Sequence, residues 1–170
     1  MNSNDALKKE IKSFSGNVLG IGDIKDELVK KLNDNDAIYE LNILSNKSYN
    51  IGSTSGKSKK ISIRNLRKMK KKHVNYLLVD YDNIDEYINT FIKDSIYITK
   101  DYIYFVTNNK KIKNLYNRYD VDINEIKCSN KNIYVVNTKR AKNNKFKEFL
   151  YSIIDFITHI IDLITRMLLS

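Results

Sequence analysis

Apolar residues occur along this chain in two patterns: short continuous runs, and stretches in which they recur every three or four positions. The continuous runs predict buried strands, and the recurring pattern predicts amphipathic helices. The strands are predicted at 17–22, 37–43, 74–80 and 102–107, with an extended piece at 96–98 and a closing hairpin of arms 124–129 and 132–137. The helices are predicted at 4–13, 24–32, 63–72, 84–92 and 109–119.

The order of these segments predicts the fold class. Strands that alternate with helices favour a mostly parallel sheet with helices on both faces, because the crossovers between parallel strands are right-handed. The closing hairpin adds an antiparallel edge to that sheet. We therefore predict a three-layer α/β domain over residues 1–138.

The segment after this domain carries the strongest single pattern, a separate amphipathic helix over residues 142–169. Its apolar residues alternate by four and three positions, as in a heptad seam. The docking face predicted from this seam consists of Phe146, Leu150, Ile153, Ile157, Ile160, Ile164 and Met167. Further apolar residues widen the seam on both sides, which argues against a simple two-stranded coiled coil because such a coil has charged flanking positions.

Three interpretations of this helix remain open. It packs on its own domain, it binds a protein partner or a second copy of the chain, or it lies in the plane of a membrane. The basic run from Lys139 to Lys147 just before and at its start favours an anionic membrane surface. Acidic residues on its polar face, among them Asp155 and Asp162, argue against that interpretation.

Positive charge is the main compositional feature, with a formal net charge of +10. The densest cluster runs from Lys57 to His73, and its candidate contacts to an anionic partner are Lys57, Lys59, Lys60, Arg64, Arg67, Lys68 and Lys71. Such a cluster fits a phosphate backbone, an anionic lipid surface or an ordinary solvated helix face. Nucleic acid is weakly supported, because lysines outnumber arginines 25 to 5 and the cluster holds no aromatic residue.

Several site classes have little support in the sequence. The one cysteine, Cys128, is placed in the first arm of the hairpin and excludes an internal disulfide. His73 is placed at the end of the basic helix, where its dipole would hold it, and neither histidine has metal-ligand spacing. No stretch of 18 residues lacks charge and no secretory signal opens the chain, so we expect a cytoplasmic protein, if membrane-bound then peripheral on the inner face.

The stretch Gly52-Ser-Thr-Ser-Gly-Lys-Ser has the composition of a phosphate-binding loop. A P-loop has four residues between its first glycine and the Gly-Lys pair, whereas three lie between Gly52 and Gly56. Polar residues precede it in place of a buried strand. We therefore interpret the region 45–60 as a basic connector and not as a nucleotide site.

The first strand and the turn after it resemble the class I S-adenosylmethionine-dependent methyltransferases. The residues that carry the resemblance are Val18-Leu-Gly-Ile-Gly22, Glu40 in the second strand, the strand that ends at Asp80, and the hairpin 124–137. The resemblance implies a Rossmann-like fold. It implies a cofactor site at Gly20, Gly22, Asp23, Glu40 and Asp80, with Glu40 on the ribose hydroxyls and Asp80 near the target.

The glycine motif departs from the family pattern, acidic-x-Gly-x-Gly-x-Gly. Gly20 stands at the acidic position, and Ile24 and Asp26 stand at the second and third glycine positions, where they would crowd the cofactor. The strand that ends at Asp80 is not followed by the Pro-Pro-Tyr/Phe element of amino-group methyltransferases. These departures favour a module that binds or scaffolds without catalytic residues and without a cofactor. The alternative is a small active S-adenosylmethionine-dependent methyltransferase, acting on nucleic acid.

Overall fold

A computed structural model describes residues 1–22, 24–44, 66, 69–80, 88–139 and 141, together with Leu150, Ile153, Phe156, Ile157, Ile160, Ile161 and Ile164. The elements in chain order are helix α1 (Ser3–Glu10) with a 3₁₀ turn (Ile11–Ser13), strand β1 (Gly16–Gly22), helix α2 (Asp26–Asn33), strands β2 (Ile38–Leu44) and β3 (Val74–Asp80), helix α3 (Ile88–Ile98), strand β4 (Thr99–Thr107), helix α4 (Lys111–Asn117), and strands β5 (Asp122–Ile126) and β6 (Asn132–Asn137).

The strands form one six-stranded sheet in the order β2-β1-β3-β4-β6-β5. Strands β1 to β4 pair in parallel, and β6 pairs antiparallel with both β4 and β5. The predicted α/β class is thereby confirmed, including the antiparallel hairpin that completes the sheet. The antiparallel strand is internal, however, because β6 inserts between β4 and β5 and leaves β5 at the edge.

The central strands β1, β3 and β4 are largely buried on both faces, as their nearly continuous apolar runs require, whereas the edge strands β2 and β5 are more exposed. Successive residues of β3 illustrate the alternation: Leu77 packs with α3 and α4, and Leu78 packs with α1 and α2. Leu28 of α2 and Phe91 of α3, each 1% exposed, lie at the centres of the two layers. The apolar spacing seen in the sequence is therefore the spacing that fills these two cores.

Two predicted element boundaries are wrong, one just before β4 and one just after β5. The extended piece at 96–98 is the last turn of α3, since Ile88, Ile92 and Ile96 continue one helical face and Ser95 Oγ donates to the Ile92 carbonyl at 2.7 Å. Cys128 lies in the loop after β5, because β5 ends at Ile126.

The predicted basic helix does not extend to its expected end. Residues 69–73 are not helical, and Lys72 has a φ of 54°, a left-handed conformation that ends any helix. Leu66 is buried in the core, and Met69 packs against it. The proposed dipole contact of His73 is therefore wrong; its carbonyl instead accepts a hydrogen bond of 3.3 Å from Asn17 Nδ2.

The second helix begins two residues later than predicted, at Asp26, with Lys25 in the extended N-cap position. Asp26 and Glu27 then lie in the first turn, where their negative charges stabilise the helix by interacting with the positive end of its dipole. Asp23, which the resemblance assigns to the cofactor site, lies outside the described residues. The predicted helix 84–92 is described from Ile88 onward, and the connector 45–60 with its glycine-rich stretch also lies outside.

Candidate cofactor site at the switch point of the sheet

The strand order creates a topological switch point between β1 and β3. From β1 the chain moves outward to β2, and it then returns to the other side of β1 to form β3. The carboxyl ends of β1 and β3 meet there, with Gly22 and Asp80 as register partners. In open α/β sheets, ligands bind in the crevice outside such a point. This crevice is therefore the candidate site, and Gly22 and Asp80 are the predicted residues that the structure brings together.

Gly22 has a φ of 100°, a backbone conformation that a residue with a side chain rarely adopts. The glycine thus allows the chain to leave β1 sharply toward α2. A tight turn of this kind lets a ligand approach backbone N–H groups. The identity of residue 22 is explained by the turn itself, with or without a ligand.

Gly20 is needed for a different reason, the close approach of Ile24. A side-chain carbon built at Gly20 would clash with Ile24 Cδ1 and would lie 3.5 Å from Ile43 Cδ1. Ile24 is only 2% exposed and belongs to the core between α1, α2 and the sheet. The space over Gly20 is thus occupied by an isoleucine of the chain itself, in agreement with the crowding expected from a branched residue at this position.

Glu40 does not lie where the resemblance requires an acidic residue. Strand β2 continues to Leu44, and Glu40 is the register partner of Asn17, close to the start of β1. Four strand residues, about 13 Å, separate it from the carboxyl end. Glu40 therefore lies inside β2, as in the predicted strand 37–43, and the apolar pair Ile43-Leu44 continues the strand to a buried end. Glu40 is exposed and accepts a hydrogen bond of 2.9 Å from Asn42 Nδ2.

Asp80 is engaged by a lysine that sequence reasoning missed. Lys131 Nζ donates to Asp80 Oδ1 at 2.8 Å, and the two side chains are 26% and 15% exposed. Lys131 comes from the turn between β5 and β6, which the order β4-β6-β5 carries to the same end of the sheet as the carboxyl end of β4. Asp80 therefore presents its carboxylate to a tethered ammonium group.

The amino-terminal segment braces the turn that carries Lys131. Ser3 N–H donates to Asn130 Oδ1 at 2.8 Å, and Asn130 Nδ2 donates back to Ser3 Oγ at 3.0 Å. Ser129 N–H donates to the Met1 carbonyl at 3.2 Å. These bonds join residues about 127 positions apart in sequence, which explains why no local pattern predicted them.

A second polar cluster lies at the amino end of the sheet, opposite the switch point. Lys72 Nζ donates to the carbonyls of Ile96 at 3.2 Å, Thr99 at 2.6 Å and Thr138 at 3.2 Å. Burial lowers the pKa of Lys72, the positive charge of Lys71 lowers it further, and Asp101 acts in the opposite direction. This ammonium group joins the segment before β3, the α3–β4 junction and the end of β6.

The described residues of the C-terminal segment are helical and exposed. Leu150, Ile153, Ile157, Ile160 and Ile164 belong to the predicted docking face, and their exposures range from 39% to 50%. Phe156 and Ile161, on the flanks of the seam, are 65% and 56% exposed. Phe146 and Met167 lie outside the described residues, as do the anionic-contact candidates Lys57, Lys59, Lys60, Arg64, Arg67 and Lys68; Lys71 is described and exposed.

The described residues contain neither a cluster of metal-binding side chains nor a helix that could span a membrane. No three histidine, cysteine, aspartate or glutamate side chains in the described part of the chain come together as ligands for a metal ion. Among the same residues, no helix combines the length and the hydropathy needed to cross a bilayer.

Solved structures with a similar fold are numerous. No protein-family model matches the chain, and no curated protein does either. Spermidine synthase from Thermotoga maritima superposes with a TM-score of 0.55 at 11% identity, over 79% of this chain and 57% of the synthase. This chain therefore spans little more than half the length of that enzyme.

Two other structures match over a larger share of their own length. A SAM-dependent methyltransferase from Archaeoglobus fulgidus gives a TM-score of 0.53 at 13% identity, over 74% of this chain and 73% of that one. TrmK of M. capricolum, solved with S-adenosylhomocysteine, gives 0.52 at 9% identity, over 92% and 86%. At such identities the likeness is one of fold. Together with the strand order and the closing hairpin, it shows that this chain has the Rossmann-like fold of the class I S-adenosylmethionine-dependent methyltransferases.

Proposed function

We propose that this chain is a non-catalytic, methyltransferase-like binding module that docks to an anionic membrane surface through its C-terminal helix. The observation that carries the proposal is the exposure of seven apolar helical residues between 150 and 164, each at least 39% exposed. The arrangement of residues at the switch point supports a module without catalytic activity. The positive charge of the chain supports an anionic surface as its partner.

Three features of the described residues at the switch point support the proposal that no S-adenosylmethionine is bound there. Ile24 occupies the space over Gly20, and Glu40 lies about four residues from the end of β2 at which a ribose would be held. Asp80 is paired with Lys131, so a target placed at Asp80 would meet a carboxylate whose Oδ1 already accepts from an ammonium group. These three features support a methyltransferase-like fold without the usual cofactor contacts.

An anionic bilayer is the occupant that best fits the C-terminal segment. Leucine, isoleucine and phenylalanine side chains that are about half exposed each gain about 1 kcal/mol when they enter an apolar phase. The basic residues that precede them, Lys139, Arg140, Lys142, Lys145 and Lys147, add attraction to anionic headgroups. A second copy of the chain would repeat the same positive charge at the interface, which disfavours self-association.

Vesicle flotation of the full chain tests membrane docking. We expect the protein to float with vesicles that contain phosphatidylserine and to remain behind with neutral phosphatidylcholine. Ile157→Asp, which adds a charge to the exposed apolar face, should lower the partition coefficient at least tenfold, about 1.4 kcal/mol. Tyr39→Asp is the matched control, since Tyr39 is 84% exposed on β2 and should have no effect. Flotation that Ile157→Asp leaves unchanged would contradict the proposal, and a stable dimer without flotation would support a protein partner instead.

Calorimetric titration with S-adenosylmethionine and S-adenosylhomocysteine tests the non-catalytic part. We expect no binding heat at cofactor concentrations of about 100 μM, a concentration at which many enzymes bind their substrates. Micromolar binding would favour the alternative, an active methyltransferase, which the fold and the cofactor named for the structural neighbours support. In that case Asp80→Asn should weaken binding and Glu40→Gln should not, because only Asp80 lies at the switch point.

A further inference from the structure

Four exposed lysines surround the Lys72 cluster at the amino end of the sheet. Lys70 and Lys71 directly precede Lys72. Lys100 follows Thr99, and Lys139 follows Thr138; the carbonyls of both threonines accept from Lys72 Nζ. The hydrogen bonds of Lys72 therefore gather three separate stretches of chain. We refer to Lys70, Lys71, Lys100 and Lys139 as the amino-end lysine patch.

Beside β3 to β5 the acidic residues at this end are fewer than the lysines and consist of Asp101, Asp120 and Asp122, whereas Asp34 and Asp36 precede β2 at the far edge of the sheet. Asp101 is 17% exposed; its carboxylate accepts from Asn75 Nδ2 at 2.8 Å and lies 3.7 Å from Lys139 Nζ. Asp122 is exposed at the start of β5, where it is the register partner of Asn137. The patch thus keeps an excess of positive charge. No residue of the patch belongs to the crevice at the switch point.

An exposed tyrosine lies within the patch. The carbonyl of Tyr97 accepts a hydrogen bond of 3.0 Å from the Lys72 N–H, and the Tyr97 side chain is 41% exposed. Tyrosine is enriched at membrane–water interfaces because its ring is apolar and its hydroxyl is polar. Lysines with an intervening tyrosine have the chemistry expected of a surface that rests on lipid headgroups.

The C-terminal segment also starts from this end of the sheet. Ala141 N–H donates to the Thr138 carbonyl at 3.3 Å, and Ala141 packs against the core on the α3 and α4 side. The chain therefore leaves the domain beside the patch before it reaches the exposed apolar residues. If those apolar residues insert into a bilayer, the lysine patch lies where the same segment begins, and it would therefore be close to the headgroups.

We propose that the amino-end lysine patch binds anionic phospholipid headgroups and orients the domain, with the amino end of the sheet on the bilayer and the switch point facing away from it. The inference deepens the proposed function and rests on it. Strands of seven residues place the two ends of the sheet roughly 20 Å apart, so the crevice stays open to water. Lipid is favoured over nucleic acid because the described residues of the patch are lysines and because the chain continues from Lys139 to exposed apolar residues from Leu150 onward.

Charge-neutralising variants of the full chain test the patch. Lys70→Gln, Lys71→Gln and Lys100→Gln are combined in one variant, while Lys139 is kept because it contacts Asp101 and the Tyr102 ring. Each lysine near an anionic surface contributes about a fivefold factor in affinity, so the triple variant should partition roughly a hundredfold less into phosphatidylserine vesicles. The matched control combines Lys25→Gln, Lys113→Gln and Lys127→Gln, exposed lysines outside the patch that change the net charge equally. Its partition coefficient should change by less than about fivefold.

The outcomes separate this inference from the proposed function. Equal losses in the two triple variants, with the wild type still bound, would overturn the patch while membrane docking stands. A wild type that does not bind vesicles would overturn both. A patch variant that keeps vesicle binding but loses binding to a fluorescent single-stranded RNA would assign the patch to nucleic acid and overturn the inference as well.

Fluorescent labels at the two ends of the sheet test the orientation directly. Cys128 follows β5 at the same end as the switch point and is the only cysteine of the chain. A fluorophore on Cys128 should keep its quenching by aqueous iodide when vesicles are added. A fluorophore in the double variant Cys128→Ser/Tyr97→Cys should lose most of that quenching. Protection at Cys128 with none at position 97 would reverse the orientation and contradict the inference.

Discussion

Replacement of Lys72 by methionine is expected to lower the free energy of unfolding by about 3 kcal/mol. The lysine donates to three backbone carbonyls, those of Ile96, Thr99 and Thr138. Methionine has a similar length but no donor, so these acceptors would lose a charged partner. Charge-assisted bonds of this kind contribute more than neutral ones, and unpaired buried acceptors are costly. The Thr99 carbonyl would retain the Thr138 Oγ donor at 3.1 Å, which limits the loss.

Urea unfolding followed by circular dichroism measures this effect. Lys71→Met is the matched control, because it removes the same charge from an exposed side chain one position earlier and should change stability by less than about 0.5 kcal/mol. A Lys72→Met variant as stable as the wild type would show that water replaces the ammonium without cost. The Lys72 cluster would then have no structural role at the amino end of the sheet.

Gly16→Ala is expected to cost about 3 kcal/mol, for two separable reasons. Gly16 has a φ of 77°, where an alanine is strained by about 1 kcal/mol. The new methyl group would also displace the Asn75 side chain, whose Oδ1 and Cγ atoms lie against that position. Asn75 accepts from the Asn17 N–H at 3.1 Å and donates to Asp101 at 2.8 Å, and both bonds would be disturbed.

A double-mutant cycle with Asn75→Ala separates the two causes. In the Asn75→Ala background the steric conflict is gone, so Gly16→Ala should cost only the backbone strain of about 1 kcal/mol. The coupling energy between the two positions should therefore reach about 1–2 kcal/mol. Strictly additive losses would mean that Asn75 moves aside freely and that backbone conformation alone explains the glycine.

The candidate cofactor-site residues show which positions a sequence resemblance can place and which it cannot. Gly22 and Asp80 do lie at the ends of β1 and β3, as the sequence predicted, because the carboxyl end of a parallel strand is a local feature that is read from where an apolar run stops. Glu40 lies inside β2 both in the predicted strand 37–43 and in the structure, whereas the role that the resemblance implies for it belongs to a residue at the strand end. Lys131 had no local signal, since the turn that carries it reaches Asp80 only through the insertion of β6 between β4 and β5.

The sequence by itself determined the class of fold, the positions of most strands and helices, and a C-terminal segment with an apolar face. These follow from the period of apolar residues and from strong turn residues, and both act over a few positions. Only the tertiary structure decided that Ile24 fills the space over Gly20, that Lys131 pairs with Asp80, and that Lys72 gathers a lysine patch at the opposite end. Such contacts depend on strand order and on side-chain packing between distant segments, which local periodicity does not encode.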